Sequence, residues 1–242
     1  MLQVEQISKN FGGLRALSGI SFQVDEGEII GLIGPNGSGK STAFNVITGF
    51  LPATSGIVTF NGENITRLPA HQVAKRGLAR TFQLVRPFMH LTAMENVLTG
   101  SMFGHAGMSS RKMAEPGAYQ ALEQVGLADK ADVLARDLTV MERKWLEVAR
   151  SLAGEPKMLL LDEFMAGLNP VEIPEALALI RKLNASGITI IIVEHIIKVI
   201  ANVCQRVIVL NAGQKLAEGT AVEVVENPLV IEAYLGTRYA KH

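Results

Sequence analysis

The 242-residue chain carries 23 basic and 23 acidic side chains, so its zero net charge gives no electrostatic reason to expect nucleic acid or an anionic membrane surface as a partner. The single cysteine, Cys204, excludes an internal disulfide, and the residues after Met1 do not resemble a secretory signal peptide, so we expect a reducing, cytosolic location. The longest apolar runs are far shorter than the roughly 20 residues of a membrane helix, which indicates strands buried on both faces.

The first part of the chain predicts an antiparallel β subdomain and, within the same stretch, a strand, a glycine-rich loop and a helix. Alternating apolar residues indicate strands at residues 2–7, 20–24 and 56–60. Asn61-Gly62 follows the last of these and is a typical hairpin turn. Residues 28–33 have the apolar, β-branched pattern of a buried strand, and residues 41–49 have helical character.

No strand pattern is present from about residue 84 to about residue 154. This stretch has helical character, which indicates an inserted helical subdomain. After it, strands alternate with helices in the order typical of parallel strands joined by crossover helices. The strands are at residues 157–162, 187–194 and 205–210, and the helices at 171–183 and 195–203. We expect one α/β domain over 1–242, with a mixed central sheet in a core of about 1–83 and 155–242.

The loop from Gly34 to Ser41 reads Gly-Pro-Asn-Gly-Ser-Gly-Lys-Ser. It fits the phosphate-loop (P-loop) pattern, in which backbone N–H groups and the N-terminus of the next helix surround phosphate oxygens. Lys40 would contact the β- and γ-phosphates, and the Ser41 hydroxyl would bind Mg²⁺. A glycine-rich turn without a ligand is the alternative. The predicted nucleotide contacts are Gly34, Pro35, Asn36, Gly37, Ser38, Gly39, Lys40, Ser41 and Thr42.

Two carboxylates, Asp162 and Glu163, directly follow four apolar residues at 158–161. A buried parallel strand that ends here places both at the carboxyl edge of the sheet, where ligands of open α/β sheets bind. Asp162 would then hold Mg²⁺, and Glu163 would act as the general base on the attacking water. A strand that ends in solvated acids is the alternative, and the phosphate loop makes it the less favoured one.

Together with further motifs, these residues make the whole chain resemble the nucleotide-binding subunits of ATP-binding-cassette (ABC) transporters. The resemblance implies the ABC cassette fold and an ATPase that uses ATP and Mg²⁺. Phe11 matches an aromatic residue that stacks on adenine, Gln83 matches the Q-loop glutamine that contacts Mg²⁺ and water, and His195 matches the switch histidine that contacts the γ-phosphate. The D-loop, which crosses between two subunits, is matched by Ala166, Gly167, Leu168 and Asn169.

Each match has a plain structural alternative when it is taken alone. Phe11 fits a core aromatic residue, and Gln83 and His195 fit solvated polar side chains. The order of the motifs along the chain favours the family interpretation. The resemblance thus assigns catalysis to Lys40, Gln83, Glu163 and His195, and metal binding to Ser41, Gln83 and Asp162.

One segment departs from the family pattern. Where the family has Leu-Ser-Gly-Gly-Gln at the start of the signature helix, the chain has Leu138, Thr139, Val140, Met141 and Glu142. Thr139 keeps a hydroxyl, but Met141 replaces a glycine whose bare backbone lets its N–H approach the partner's γ-phosphate. Phe164 replaces the usual proline after the base, and Ile196 replaces the usual aspartate after the switch histidine.

Family members work as head-to-tail dimers, in which each ATP lies between the phosphate loop of one subunit and the signature helix of the other. We therefore expect a second ABC ATPase subunit as the partner, in a heterodimer or a homodimer. Our hypothesis is that the phosphate loop of this chain, paired with a regular signature, forms the stronger hydrolytic site, and that the site using residues 139–142 is weaker. Alternatively, the variant helix start binds phosphate adequately, since helix N-termini attract anions.

Several strings place the resemblance closer to the ATPase subunits of bacterial importers for branched-chain or other hydrophobic amino acids. They are ITGF at 47–50, ARTFQ at 79–83, MAGLNP at 165–170, VEH at 193–195 and AYLG at 233–236. The resemblance implies membrane permease subunits, a periplasmic binding protein and a place at the cytoplasmic face of the inner membrane. Phe88, Met89 and Leu91 would either dock on a permease helix or belong to the core.

Other functions are kept as alternatives. A soluble ABC ATPase without a transport role usually has tandem cassettes or coiled-coil insertions, and the chain shows neither. A lipopolysaccharide-export ATPase ends similarly, but the string ARTFQ favours the importers. A switch GTPase or a small-molecule kinase would share the phosphate loop, but the guanine-reading Asn-Lys-x-Asp string is absent. Nucleic acid is not expected as a partner, and no residue identifies the transported substrate.

Overall fold

The computed structural model describes residues 1–83, 86–194 and 197–235. They form two compact units, of which the first is Met1–Ala70 with the described part of Ala176–His242 and the second is His71–Glu175. The predicted single domain and the predicted limits of the helical subdomain stay predictions.

The strands are β1 (Leu2–Phe11), β2 (Leu14–Val24), β3 (Ile29–Ile33), β4 (Ser55–Phe60), β5 (Glu63–Asn64), β6 (Leu78–Arg80), β7 (Met158–Asp162), β8 (Thr189–Val193), β9 (Arg206–Asn211) and β10 (Gln214–Gly219). The α-helices are α1 (Lys40–Ile47), α2 (Ala70–Lys75), α3 (Ala93–Phe103), α4 (Arg111–Gln124), α5 (Val140–Leu152), α6 (Glu172–Ala185), α7 (Ile197–Val203), α8 (Ala221–Glu226) and α9 (Pro228–Leu235). Short 3₁₀ turns cover Ala128–Lys130 and Ala135–Asp137.

The first unit contains the predicted antiparallel sheet, with the strand order β2-β1-β4-β5. Asn61 and Gly62, with φ of 49° and 80°, join β4 to β5, which confirms the predicted hairpin. β1 and β2 extend beyond the predicted ranges. Their polar ends lack apolar alternation, yet Lys9 pairs with Leu17, because main-chain hydrogen bonds do not depend on an apolar side-chain pattern.

A mixed sheet in the same unit contains β10, β9, β3 and β8 in that order. β3 runs parallel to β8 and β9, whereas β9 pairs antiparallel with β10. Every residue of β3 and β8 is buried, as expected for parallel strands covered on both faces. The parallel pairs confirm the α/β class. They also place the phosphate loop, which follows Ile33, at the carboxyl edge of β3, where ligands of such sheets bind.

The end of the described chain contains elements that the sequence patterns do not predict. β10 is exposed or half-buried along its whole length, so its residues show no apolar pattern, and pairing with β9 holds it in place. α8 begins after Thr220, which forms a reciprocal capping box with Glu223. α9 begins at Pro228, a residue type preferred at the first helical position.

In the second unit, β6 and β7 pair in parallel, with Leu78 opposite Met158 and Arg80 opposite Leu160. β7 is fully buried and ends at Asp162, as predicted. The three-residue strand β6 is too short to produce a sequence pattern. α5 packs against α3 and α4. Among the described residues of the whole chain, no helix has both the length and the apolar character needed to cross a bilayer.

Candidate nucleotide-binding and hydrolysis site

The phosphate loop connects β3 to α1 along a path that requires glycine at two positions. Gly34 has a φ of 152°, and a Cβ there would collide with the carbonyl oxygen of Leu210 and come within 2.6 Å of the Ser38 hydroxyl. Gly39, which precedes α1, has a φ of 106°, and a Cβ there would lie 2.8 Å from Cδ2 of Leu17. A side chain fits neither position, so the two glycines of the motif determine the loop conformation.

Lys40 carries its ammonium group inside this loop. The residue is 6% exposed, and Nζ donates to the carbonyl oxygens of Gly34 at 2.8 Å and Pro35 at 3.0 Å. Gly39 provides no side-chain cap for α1, so the N–H groups of the first turn can donate to phosphate oxygens. Ser41 is exposed in the same turn. A cation, helix N–H groups and a hydroxyl therefore meet at one end of α1, which suits a nucleoside triphosphate.

Phe11 ends β1 in the same unit and is 45% exposed, so it is not a core residue. The Nζ atom of Lys9 lies 5.2 Å from the centroid of its ring. An exposed aromatic ring is compatible with stacking on a base, and the contact with adenine stays a prediction. His195 and Ile196 lie outside the described residues.

The carboxylate of Asp162 is buried at the end of β7 in the second unit. Its Oδ2 accepts a hydrogen bond from Nη2 of Arg80 at 2.7 Å, in an ion pair whose side chains are 4% and 7% exposed, respectively. Its Oδ1 is also buried and finds no hydrogen-bond partner among the described residues. Leaving a buried carboxylate oxygen unpaired is costly. This oxygen is therefore suited to a hard cation.

Glu163 and Gln83, two predicted catalytic residues, are brought together in the second unit. The Nε2 atom of Gln83 donates to Oε2 of Glu163 at 2.5 Å. Glu163 has a φ of 48°, a left-handed conformation that is rare for a residue other than glycine. Such a conformation costs about 1–3 kcal/mol and clusters at functional sites, where it aims a side chain. The carboxylate of Glu163 is thus held by both its backbone and Gln83.

Lys144 of α5 fixes the chain that follows Glu163. Its Nζ donates to the carbonyl oxygens of Phe164 at 2.8 Å and Ala166 at 2.5 Å. The ring of Phe164 lies 5.0 Å from that of Trp145. The phenylalanine that replaces the usual proline therefore makes an aromatic contact with α5. The D-loop continues through Gly167, Leu168 and Asn169 to the start of α6.

The signature segment, residues 138–142, leads into α5 with a closed capping arrangement. The Thr139 hydroxyl accepts from the Glu142 N–H at 3.2 Å, and Oε2 of Glu142 accepts from the Thr139 N–H at 2.8 Å. This capping box satisfies two N–H groups with side chains of the chain itself. A hydrogen bond from Lys130 lowers the pKa of Glu142, which keeps the capping carboxylate ionised. Met141 is half-buried in the first turn.

A second carboxylate on α5, Glu147, is 4% exposed, and its Oε1 accepts from the Phe82 N–H at 3.0 Å. Burial raises the pKa of Glu147 to about 7, although the Phe82 N–H and nearby cations act in the opposite direction. Sequence reasoning missed Arg80, Lys144 and Glu147 as parts of this region. In the sequence, these residues are recognisable only as charged side chains among apolar neighbours, and this pattern does not identify their partners.

Phe88 and Met89 are 52% and 37% exposed, whereas Leu91 is half-buried. A core location is therefore excluded for the first two residues. The guanidinium of Arg150 lies 6.0 Å from the centroid of the Phe88 ring. Exposed aromatic and methionine side chains are typical of protein contacts, so docking on another subunit stays a prediction for them.

Comparisons with known proteins agree with the motifs. Residues 17–166 match the sequence profile of the ABC transporter family, and residues 214–240 match that of branched-chain amino acid ATP-binding cassette transporters. The chain is 39% identical, over 98% of both sequences, to the high-affinity branched-chain amino acid transport ATP-binding protein BraF of Pseudomonas aeruginosa. It is 38% identical, over 98% of both sequences, to the protein of the same description, LivG, of Escherichia coli.

Solved structures show the same similarity. A nucleotide-free ATP-binding cassette from an ABC transporter is 34% identical, with a TM-score of 0.89 over 97% of this chain and 98% of that one. The ADP conformation of an ATP-binding cassette of an ABC transporter is 35% identical, with a TM-score of 0.89 over 98% of both chains.

Proposed function

The chain belongs to the family of ABC transporter ATP-binding proteins, and we propose that it is the ATPase subunit of an importer for branched-chain or related hydrophobic amino acids. The fold and the ATPase activity follow from the family. The observation that carries the proposed substrate class is the near full-length identity with BraF and LivG, whose descriptions name branched-chain amino acid transport. This similarity disfavours a soluble non-transport ATPase and a lipopolysaccharide-export ATPase.

The phosphate loop supports nucleotide binding in this proposal. Lys40 is buried within the loop, and it would exchange backbone carbonyl acceptors for the oxygens of the β- and γ-phosphates. The first turn of α1 adds N–H donors and the positive end of the helix dipole. Phe11 would stack on adenine through its exposed ring.

The pair of Glu163 and Gln83 supports hydrolysis. As general base, Glu163 would accept the proton of the attacking water, and the amide of Gln83 would hold the carboxylate in the required orientation. His195 is assigned to the γ-phosphate only by its match with the switch histidine.

Magnesium is the proposed metal, and the side chains of Ser41, Gln83 and Asp162 would hold it. Mg²⁺ prefers oxygen ligands and usually needs only one or two carboxylates beside substrate phosphates, so the unpaired Oδ1 of Asp162 fits this role. When bound, Mg²⁺ neutralises negative charge that develops on the phosphates. Arg80 would fix the orientation of the Asp162 carboxylate by holding its other oxygen.

The proposed assembly is a transporter at the cytoplasmic face of the inner membrane. A second ABC ATPase subunit, in a heterodimer or homodimer, would supply the other half of each ATP site. Permease subunits would contact Phe88 and Met89, and a periplasmic binding protein would deliver the amino acid. No site for the amino acid is expected on this chain.

Three measurements test this proposal. The purified complex of the chain with its partner subunits should hydrolyse ATP in preference to GTP, and only with Mg²⁺ present. In the native host, deletion of the gene should lower uptake of radiolabelled leucine, isoleucine or valine, and the tagged chain should co-purify with integral membrane subunits. A preference for GTP, or normal uptake of all three amino acids together with co-purification of nucleic acid, would contradict it.

A further inference from the structure

The segment that carries Gln83 is held by one face of α5. At its start, the Phe82 N–H donates to Oε1 of Glu147 at 3.0 Å. Beyond Gln83, the carbonyl oxygen of Arg86 accepts from Nη1 of Arg150 at 3.4 Å. Glu147 and Arg150 are three residues apart, so they lie on the same side of the helix, 3.8 Å from each other.

Burying the carboxylate of Glu147 at this position is unfavourable for the free energy of folding. It is 4% exposed, and removing a carboxylate from water destabilises its ionised form, which raises its pKa to about 7. The charged groups that face it are Arg150 and Lys144 on α5 and Arg80 on β6. Apolar residues of similar volume often replace buried charges without loss of stability. The buried charge of Glu147 is therefore not required for a stable core, and the hydrogen bond that it accepts is its specific contribution.

The partner of Glu147 indicates its role. Phe82 directly precedes Gln83, and the Gln83 amide donates to Glu163 at 2.5 Å, so a rigid backbone at Phe82 limits where the amide can be placed. The guanidinium of Arg80 lies 5.1 Å from the centroid of the Phe82 ring and also pairs with Asp162. Phe82 is thus fixed at both its backbone and its ring beside the proposed hydrolytic carboxylates.

We propose that Glu147 is a positioning residue for ATP hydrolysis, which fixes the backbone of Phe82 and thereby holds Gln83 against Glu163. This inference rests on the proposed ATPase function. Glu147 acts through Phe82 and needs no contact with the reacting atoms. Because α5 also begins with the signature segment, the same helix carries both the anchor of Gln83 and the residues assigned to the partner's ATP.

The test separates ATP binding from ATP turnover in the assembled transporter. Glu147→Leu removes the carboxylate that accepts from the Phe82 N–H, whereas Glu147→Gln keeps a carbonyl acceptor at the same reach. We expect Glu147→Leu to lower kcat for ATP about 10-fold, because a catalytic group displaced by a fraction of an ångström loses its alignment. The Kd for ATP should change less than 2-fold, and Glu147→Gln should restore most of kcat.

Two further variants keep the test decisive. Glu123→Leu makes the same chemical change at an exposed position of α4 and should leave kcat unchanged. Should Glu147→Leu fail to fold, as judged by circular dichroism, Glu147→Asp replaces it, since this side chain keeps its charge but is one methylene too short to reach Phe82.

The outcomes distinguish this inference from the proposed function. A wild-type assembled transporter that does not hydrolyse ATP contradicts the ATPase function itself. Normal wild-type hydrolysis with an unchanged kcat in Glu147→Leu, or in Glu147→Asp where that variant replaces it, overturns the positioning role alone. An equal loss of kcat and ATP affinity, or no recovery in Glu147→Gln, also overturns it, because a purely structural residue would behave in that way.

Discussion

The phosphate loop and the signature segment both lead into a helix N-terminus, but they treat its N–H groups differently. α1 begins after Gly39, which provides no side-chain cap, whereas α5 begins after Thr139, which forms a closed capping box with Glu142. No capping side chain occupies the N–H groups at the start of α1, whereas the capping box of α5 occupies two N–H groups with side chains of the chain itself. The two helix N-termini therefore differ in whether capping side chains occupy the N–H groups that could bind a phosphate.

This difference gives a physical basis for the hypothesis of unequal ATP sites. The family signature places small residues at the helix start, where bare backbone approaches the partner's γ-phosphate. Here Met141 adds a side chain to that turn, and the carboxylate of Glu142 occupies the Thr139 N–H. We propose that the site formed with this segment hydrolyses ATP more slowly.

Glu163→Gln, which affects the ATP site proposed for the phosphate loop of this chain, should have the largest effect on ATP turnover. Loss of a general base should lower kcat by about 10²–10⁴-fold, while ATP remains bound because no phosphate contact is removed. Steady-state hydrolysis and equilibrium ATP binding measure the two quantities. Glu155→Gln is a matched control, since Glu155 is exposed and also has a positive φ of 51°. Normal turnover in Glu163→Gln would show that another residue is the base.

Lys40→Ala should have the next largest effect, and on binding rather than turnover. Removing a charge-assisted hydrogen bond costs about 1.5–3 kcal/mol, which corresponds to a roughly 10- to 100-fold weaker Kd for ATP. Titration with a fluorescent ATP analogue measures it. Lys112→Ala, at an exposed position of α4, should bind normally. An unchanged Kd in Lys40→Ala would mean that the loop does not surround the phosphates.

Met141→Gly should raise ATP turnover at the site that uses the signature segment of this chain. Restoring a bare backbone should raise ATP turnover of the assembled transporter by a few-fold, because the N–H of residue 141 can then approach the partner's phosphate. Met141→Ala, which keeps a Cβ, should give a smaller increase. Equal rates in wild type, Ala and Gly variants would show that the methionine is not what limits this site.

The smallest effect is expected for Thr139→Ala, which opens the capping box of α5. Loss of an N-cap should lower the free energy of unfolding by about 1 kcal/mol. Thr92→Ala is the matched control, since Thr92 forms the same type of box with Glu95 at the start of α3. Chemical denaturation should give similar losses for both variants, and only Thr139→Ala should alter ATP turnover. If Thr92→Ala alters turnover equally, the effect reflects stability alone.

Sequence was most informative where function depends on neighbouring residues. The phosphate loop could be predicted because Gly34, Gly39 and Lys40 act within one short loop, and the backbone geometry of the two glycines is local. Asp162 could be placed at a strand end because the apolar run before it is unambiguous. The Asn61-Gly62 turn was predicted for the same reason.

Contacts between distant residues could not be predicted in this way. The ion pair of Arg80 with Asp162 spans 82 positions of the chain, and the hydrogen bond of Phe82 to Glu147 spans 65 positions. No local sequence pattern identifies partners at such separations. β10 could not be predicted from the sequence, because it is stabilised by pairing with β9 and has no apolar alternation. The capping box of Thr139 and Glu142 has a local spacing, so the sequence alone is sufficient to predict it.

The inequality of the two ATP sites can be measured most directly in the assembled transporter with one hydrolytic glutamate replaced at a time. Glu163→Gln in this chain and the matching substitution in the partner ATPase are compared by steady-state ATP turnover at saturating ATP. We predict that Glu163→Gln abolishes most turnover and that the partner's substitution leaves a substantial part of it. Equal losses, or a homodimer in which both sites use the same signature segment, would contradict the inequality.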